Sequence, residues 1–176
     1  ATTKSYFFYN SAWRQTGQSL AISKNDDILI PDTYFIVRNG ANAGTFTQAG
    51  SVVLKKSVVP LLTQASTKQD NAVALTRPVP VSLNDSGLIS SGAFVASASP
   101  AVRKDELLVF DNTVAAKNKA ASAIYYYYNN GWRKVGQSAA TDFGATIVFG
   151  PDTGVQIRKA ASGTGQASNW TNSPTY

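Results

Sequence analysis

A segment near the start of the chain, Tyr9-Asn10-Ser11-Ala12-Trp13-Arg14-Gln15-Thr16-Gly17-Gln18-Ser19, returns near its end as Tyr128-Asn129-Asn130-Gly131-Trp132-Arg133-Lys134-Val135-Gly136-Gln137-Ser138, with seven of eleven positions identical. Further on, Pro31-Asp32-Thr33 returns as Pro151-Asp152-Thr153, and Val37-Arg38 aligns with Ile157-Arg158 after one inserted residue. A match that keeps tryptophan and proline in order marks two copies of one supersecondary unit. The copies span residues 6–39 and 125–159, and any fold for this chain must contain the same local shape twice.

Each copy opens on an aromatic tetrad, Tyr6-Phe7-Phe8-Tyr9 or Tyr125-Tyr126-Tyr127-Tyr128, followed by a short polar turn and Trp-Arg. That pattern predicts a β-hairpin, with Asn130-Gly131 supplying the positive φ of a tight turn and Asn10-Ser11 a weaker version of it. Asp27 to Ile30 and Ala145 to Phe149 predict a next strand stopped at Pro-Asp, where Asp32 and Asp152 favour a reversal. Tyr34 to Arg38 and Gly154 to Arg158 predict the returning strand.

Between the copies, further strands are expected at Phe46 to Gln48, Ser51 to Leu54, Asn71 to Leu75, Val79 to Leu83, Ala93 to Ser97 and Glu106 to Phe110. Turn-formers such as Asn84-Asp85-Ser86-Gly87, Ser99-Pro100 and Asp111-Asn112 separate them. Helix is confined to a turn or two within Thr113 to Ala123 and Leu61 to Ala65. The expected fold is all-β: one antiparallel β-sandwich domain over 1–176, of jelly-roll type, with an internal pseudo-repeat and little helix.

Composition narrows function. The chain has no cysteine and no histidine, which excludes thiol chemistry, cysteine-ligated metals and a histidine-based triad. Glu106 is the sole glutamate, and no apposed pair of carboxylates for glycosidase chemistry stands out. Asp26, Asp27 and Asp32 match no calcium loop. No catalytic, cofactor-binding or metal residue is therefore assigned, and the chain is expected not to be an enzyme. The formal charge of +6 is dispersed over pairs such as Lys55-Lys56 and Arg158-Lys159, without the dense patch of a nucleic-acid site. No apolar run reaches the ~18 residues of a membrane span. Absence of methionine, a small first residue and 15% charged residues suit a processed, exported protein, secreted to the outside or to the cell surface.

Two residue sets carry the functional expectation. In a strand, neighbouring side chains face opposite ways, so the tetrads turn some rings away from the core. Tyr6, Phe7, Phe8, Tyr9, Tyr125 and Tyr127 are the candidate assembly surface. Trp13 and Trp132, each beside an arginine, are candidates for sugar stacking or else for anchoring the core.

The stretches Trp13 to Arg38, Asn71-Ala72-Val73-Ala74-Leu75-Thr76-Arg77-Pro78, Leu83 to Leu88, Asp105 to Asn112, Ile157 to Ala160 and Trp170 to Tyr176 resemble an uncharacterised secreted-protein family of Verrucomicrobia. The resemblance covers most of the chain. It implies bacterial export and no known enzymatic activity, and it brings no site residues with it.

The resulting expectation is a structural subunit of an extracellular homopolymeric fibril or surface layer, with itself as partner. Residues 1–9 would be exchanged as a strand with a neighbouring subunit. A carbohydrate-binding surface module is the alternative.

Overall fold

The computed structural model describes residues 4–29, 35–40, 44–45, 47, 54–75, 77–113, 119–151 and 153–174. The chain divides into two compact units, Ala1–Pro31 and Asp32–Tyr176, where the sequence suggested one domain.

The first unit holds a single antiparallel pair, β1 (Tyr6–Tyr9) and β2 (Ala12–Gln15), with Tyr6 opposite Gln15 and Tyr9 opposite Ala12. The turn residues Asn10 and Ser11 have φ of +48° and +58°. Positive φ at both central positions matches the right-handed twist of the flanking strands, so the chain reverses in two residues.

The second unit contains β3 (Ser57–Leu61), β4 (Gln69–Ala74), β5 (Val81–Ser82), β6 (Glu106–Val109), β7 (Ala123–Tyr128), β8 (Gly131–Lys134), β9 (Ile147–Phe149), β10 (Gly154–Lys159) and β11 (Ser168–Asn172). Five strands form one antiparallel sheet in the order β4-β10-β6-β7-β8, while β11 pairs with β3 and β5 with β9. The three sheets share one core built from Val59, Leu61, Val73, Leu107, Trp132, Phe149, Val155, Ile157 and Trp170, among others. Burial alternates along β10, where Val155, Ile157 and Lys159 are buried and their neighbours half-buried, as a strand facing a core on one side requires. The all-β antiparallel expectation holds. This grouping of one wide sheet and narrow pairs leaves the jelly-roll refinement without support.

Several local expectations are corrected. Ala93 to Ser97 is not a strand; Ala93 and Phe94 are buried in irregular chain. Leu61 closes β3 and residues 62–65 are not helical. Asn169-Trp170-Thr171, which reads as a polar turn, lies inside β11 with Trp170 wholly buried. Its indole N–H and the Asn172 amide both donate to the Ser86 carbonyl at 2.7 Å. The backbone passes so close that a Cβ on Gly87 would sit 2.5 Å from the Thr171 oxygen. Within the expected helix of Thr113 to Ala123, residues 119–122 are not helical and Ala123 begins β7.

The two copies also part company downstream of their hairpins. Asp27 to Leu29 and Phe35 to Arg38 form no strand, whereas their counterparts become β9 and β10. A strand exists only with a neighbour to pair with, and β9 and β10 have β5, β4 and β6. Pro31-Asp32-Thr33, Tyr34, Asp152, Phe46, Gln48 and Ser51 to Val53 lie outside the described residues.

Candidate assembly surface

The first hairpin repeats the second almost bond for bond. In the second, Asn129 and Asn130 have φ of +48° and +55°, so the turn sits one residue before the Asn130-Gly131 expected, and Gly131 opens β8. Gly17 and Gly136 share a φ of +81°, which a side-chain-bearing residue would resist. At that bend the Gln18 N–H reaches the Gln15 carbonyl at 3.2 Å, and the Gln137 N–H reaches that of Lys134 at 3.1 Å. The Trp13 carbonyl accepts the Lys24 N–H at 2.9 Å; that of Trp132 accepts the Phe143 N–H at 2.8 Å. Each tryptophan N–H donates at 2.8 Å to a side-chain oxygen of the following loop, Asn25 Oδ1 in one copy and Asp142 Oδ1 in the other. Each indole meets the ring two residues before the turn edge-on, Phe8 with Trp13 and Tyr127 with Trp132, both at 5.6 Å between centroids.

The surroundings differ completely. Trp132 is 0% exposed and Tyr125 and Tyr126 are buried. Phe94 lies 5.0 Å from the Trp132 ring, β6 pairs along the free edge of β7, and the Ser97 N–H donates to the Tyr127 carbonyl at 2.7 Å. On the opposite face the Arg103 guanidinium lies 5.9 Å from the Tyr126 ring centre. In the first hairpin, Phe8 is 63% exposed and Trp13 48%. Phe7, Tyr9, Leu20, Ile22, Ile28 and Leu29 are exposed as well. Ala12 is the single buried residue among the described residues of that unit.

The six assembly candidates therefore fall into two groups. Phe7, Phe8 and Tyr9 lie open, and Tyr6 is half-buried. The Tyr6 hydroxyl donates to Asp27 Oδ2 at 2.7 Å, and this bond to the carboxylate raises its pKa above 10.0. Tyr125 is buried opposite Leu107 and beside Phe143, and Tyr127 is half-buried against Trp132. Of the two sugar-stacking candidates, Trp132 has no free face and Trp13 is half-open with Phe8 on its edge.

The carboxylates serve structure. Asp105, wholly buried, pairs with Lys159 and accepts the Val95 and Ala160 N–H groups at 2.7 and 2.8 Å. Lys159 also reaches the Ala93 carbonyl at 2.5 Å. Burial pushes the Glu106 carboxyl up, but its bonds to Arg103 (2.8 Å) and Lys68 (3.1 Å) outweigh this and hold its pKa below 4.5. Among the described residues no three acids gather to hold a metal, and no helix is long and apolar enough to cross a membrane. Sequence reasoning missed Phe94 as the cover of the second hairpin, and Asn25 and Asp142 as the acceptors of the Trp13 and Trp132 backbone N–H groups. Only the distance between elements could have revealed the first, while the polar residues in both following loops hinted at the second. No protein family, curated protein or solved structure matches this chain.

Proposed function

We propose that this chain is a structural subunit of an extracellular fibril or surface layer, acting by assembly through its first hairpin. One observation carries the reading: a hairpin whose twin is buried presents the same aromatic side chains to solvent. A lone two-stranded hairpin is marginal in water and needs further strands or a packed face. Exposed aromatic rings gathered on one hairpin mark a surface for contact with protein. Export, suggested by composition, supplies the extracellular setting, and strand addition at β1 supplies the joint.

The homopolymeric form is tested by sedimentation and negative-stain microscopy of the full chain across a concentration series. Assemblies should grow with concentration, and Phe8→Glu should return the protein to monomers. A chain that stays monomeric at every concentration defeats the homopolymer. Sugar stacking has less support, because burial of Trp132 leaves Trp13 without a matching second platform.

A further inference from the structure

We infer that the open face of the first hairpin docks one kind of partner: a polypeptide segment built like residues 88–110 of this chain, with an open-edged acidic-Leu-Leu-Val strand and a phenylalanine ahead of it. The inference goes beyond the assembly reading: it starts from the same exposed hairpin and names an occupant that finished copies of this chain do not supply.

The template is inside the molecule. The second hairpin shares the turn, bend, loop bonds and ring geometry of the first, and the structure shows what covers it. Leu107, Leu108 and Val109 pair with Tyr125, Ile124 and Ala123, whose counterparts in the first copy are Tyr6, Ser5 and Lys4. Phe94 packs on Trp132, so its equivalent would pack on Trp13. Ser97 donates to the Tyr127 carbonyl, which corresponds to that of Phe8. Arg103 caps the Tyr126 ring, which corresponds to Phe7. Edge pairing, an aromatic contact, a backbone hydrogen bond and a cation over a ring thus all have their acceptor in place on the first hairpin.

The chain carries the 88–110 segment once, and β6 is already flanked by β10 and β7. An intact second copy closes that edge in the same way, so contact between two finished sandwiches does not make this joint. The occupant is a segment of this chemistry whose β6-type edge is free.

The test adds a synthetic peptide of residues 88–110 to the full chain. Trp132 and Trp170 are 0% exposed, so collisional quenching of tryptophan fluorescence reads Trp13, and the peptide contains no tryptophan. Saturating peptide should abolish the quenchable fraction and slow amide exchange over Lys4–Tyr6, the counterparts of the residues that β6 pairs with. Peptides carrying Phe94→Ala or Leu107→Lys should lose both effects, which leaves the folding of the protein itself untouched. Unchanged Trp13 quenching and unchanged exchange over Lys4–Tyr6 at saturating peptide overturn the inference. So does equal activity of the altered peptides. If the chain polymerises alone while the peptide does nothing, this joint is wrong and the assembly reading stands. If the peptide docks on a chain that remains monomeric, the joint stands and the homopolymer falls.

Discussion

The two hairpins differ in context far more than in conformation. Their turn φ values agree within a few degrees, +48° at both Asn10 and Asn129 and +58° and +55° at Ser11 and Asn130, yet Trp132 is fully buried and Trp13 half-exposed. Local sequence therefore sets the shape, through the two-residue turn, the glycine bend and the side-chain acceptor for the tryptophan N–H. Burial is set by what other segments bring. Phe94 and β6 cover the second copy, so the motif is a core element there, while the rings of the first copy lie exposed.

The largest effect should come from the tryptophans. Trp132→Ala empties a packed site and should cost about 3–5 kcal/mol, whereas Trp13→Ala should cost about 1 kcal/mol, mainly the ring contact with Phe8. Urea unfolding followed by amide exchange separates the two units, and equal losses would break the comparison.

Asp105→Ala comes close behind, because it leaves Lys159 buried without its counter-charge, a loss of about 3–5 kcal/mol. The exchange rates of β1 and β2, which lack any such pair, should not respond.

The acid response belongs to the second unit. Glu106 has a folded pKa below 4.5, so its contribution is complete above that value and disappears as pH falls through the lower folded value. Glu106→Gln should flatten the acid limb of stability measured by urea midpoints. An unchanged slope would mean that other carboxylates carry it.

Smaller effects test the shared framework. Asn25→Ala removes the acceptor of the Trp13 backbone N–H and should cost about 1 kcal/mol. Asp142→Ala removes that of Trp132 together with a Gly144 N–H bond and a charge facing Arg133, so its larger loss in the unfolding midpoint sharpens the comparison. Ser11→Gly should stabilise β1 and β2 by about 0.5–1 kcal/mol, since a Cβ at positive φ is strained; slower exchange of the β1 amides would register it.

The repeat and the hairpins were legible because Tyr-Asn-x-x-Trp-Arg is local information: alternation, turn chemistry and a glycine at fixed spacing. The two units, the exposure of Phe8 and Trp13, and the failure of Phe35 to Arg38 to form a strand were not, because each depends on distant neighbours. Phe35 to Arg38 has as strong a strand pattern as Val155 to Arg158, but only the latter lies between β4 and β6. The same holds for β11, where polar Asn169, Thr171 and Asn172 become strand residues only by pairing with β3. The site was half legible: the aromatic tetrads were recognisable, and which of them lay open was not.

The bonds that shape the first hairpin have a kinetic consequence. Its reversal, its bend at Gly17 and the Asn25 acceptor are in place before any cover arrives, so little backbone freedom remains to be lost on capture. Capture would then proceed as a rigid encounter, limited by orientation and collision frequency rather than by a folding step.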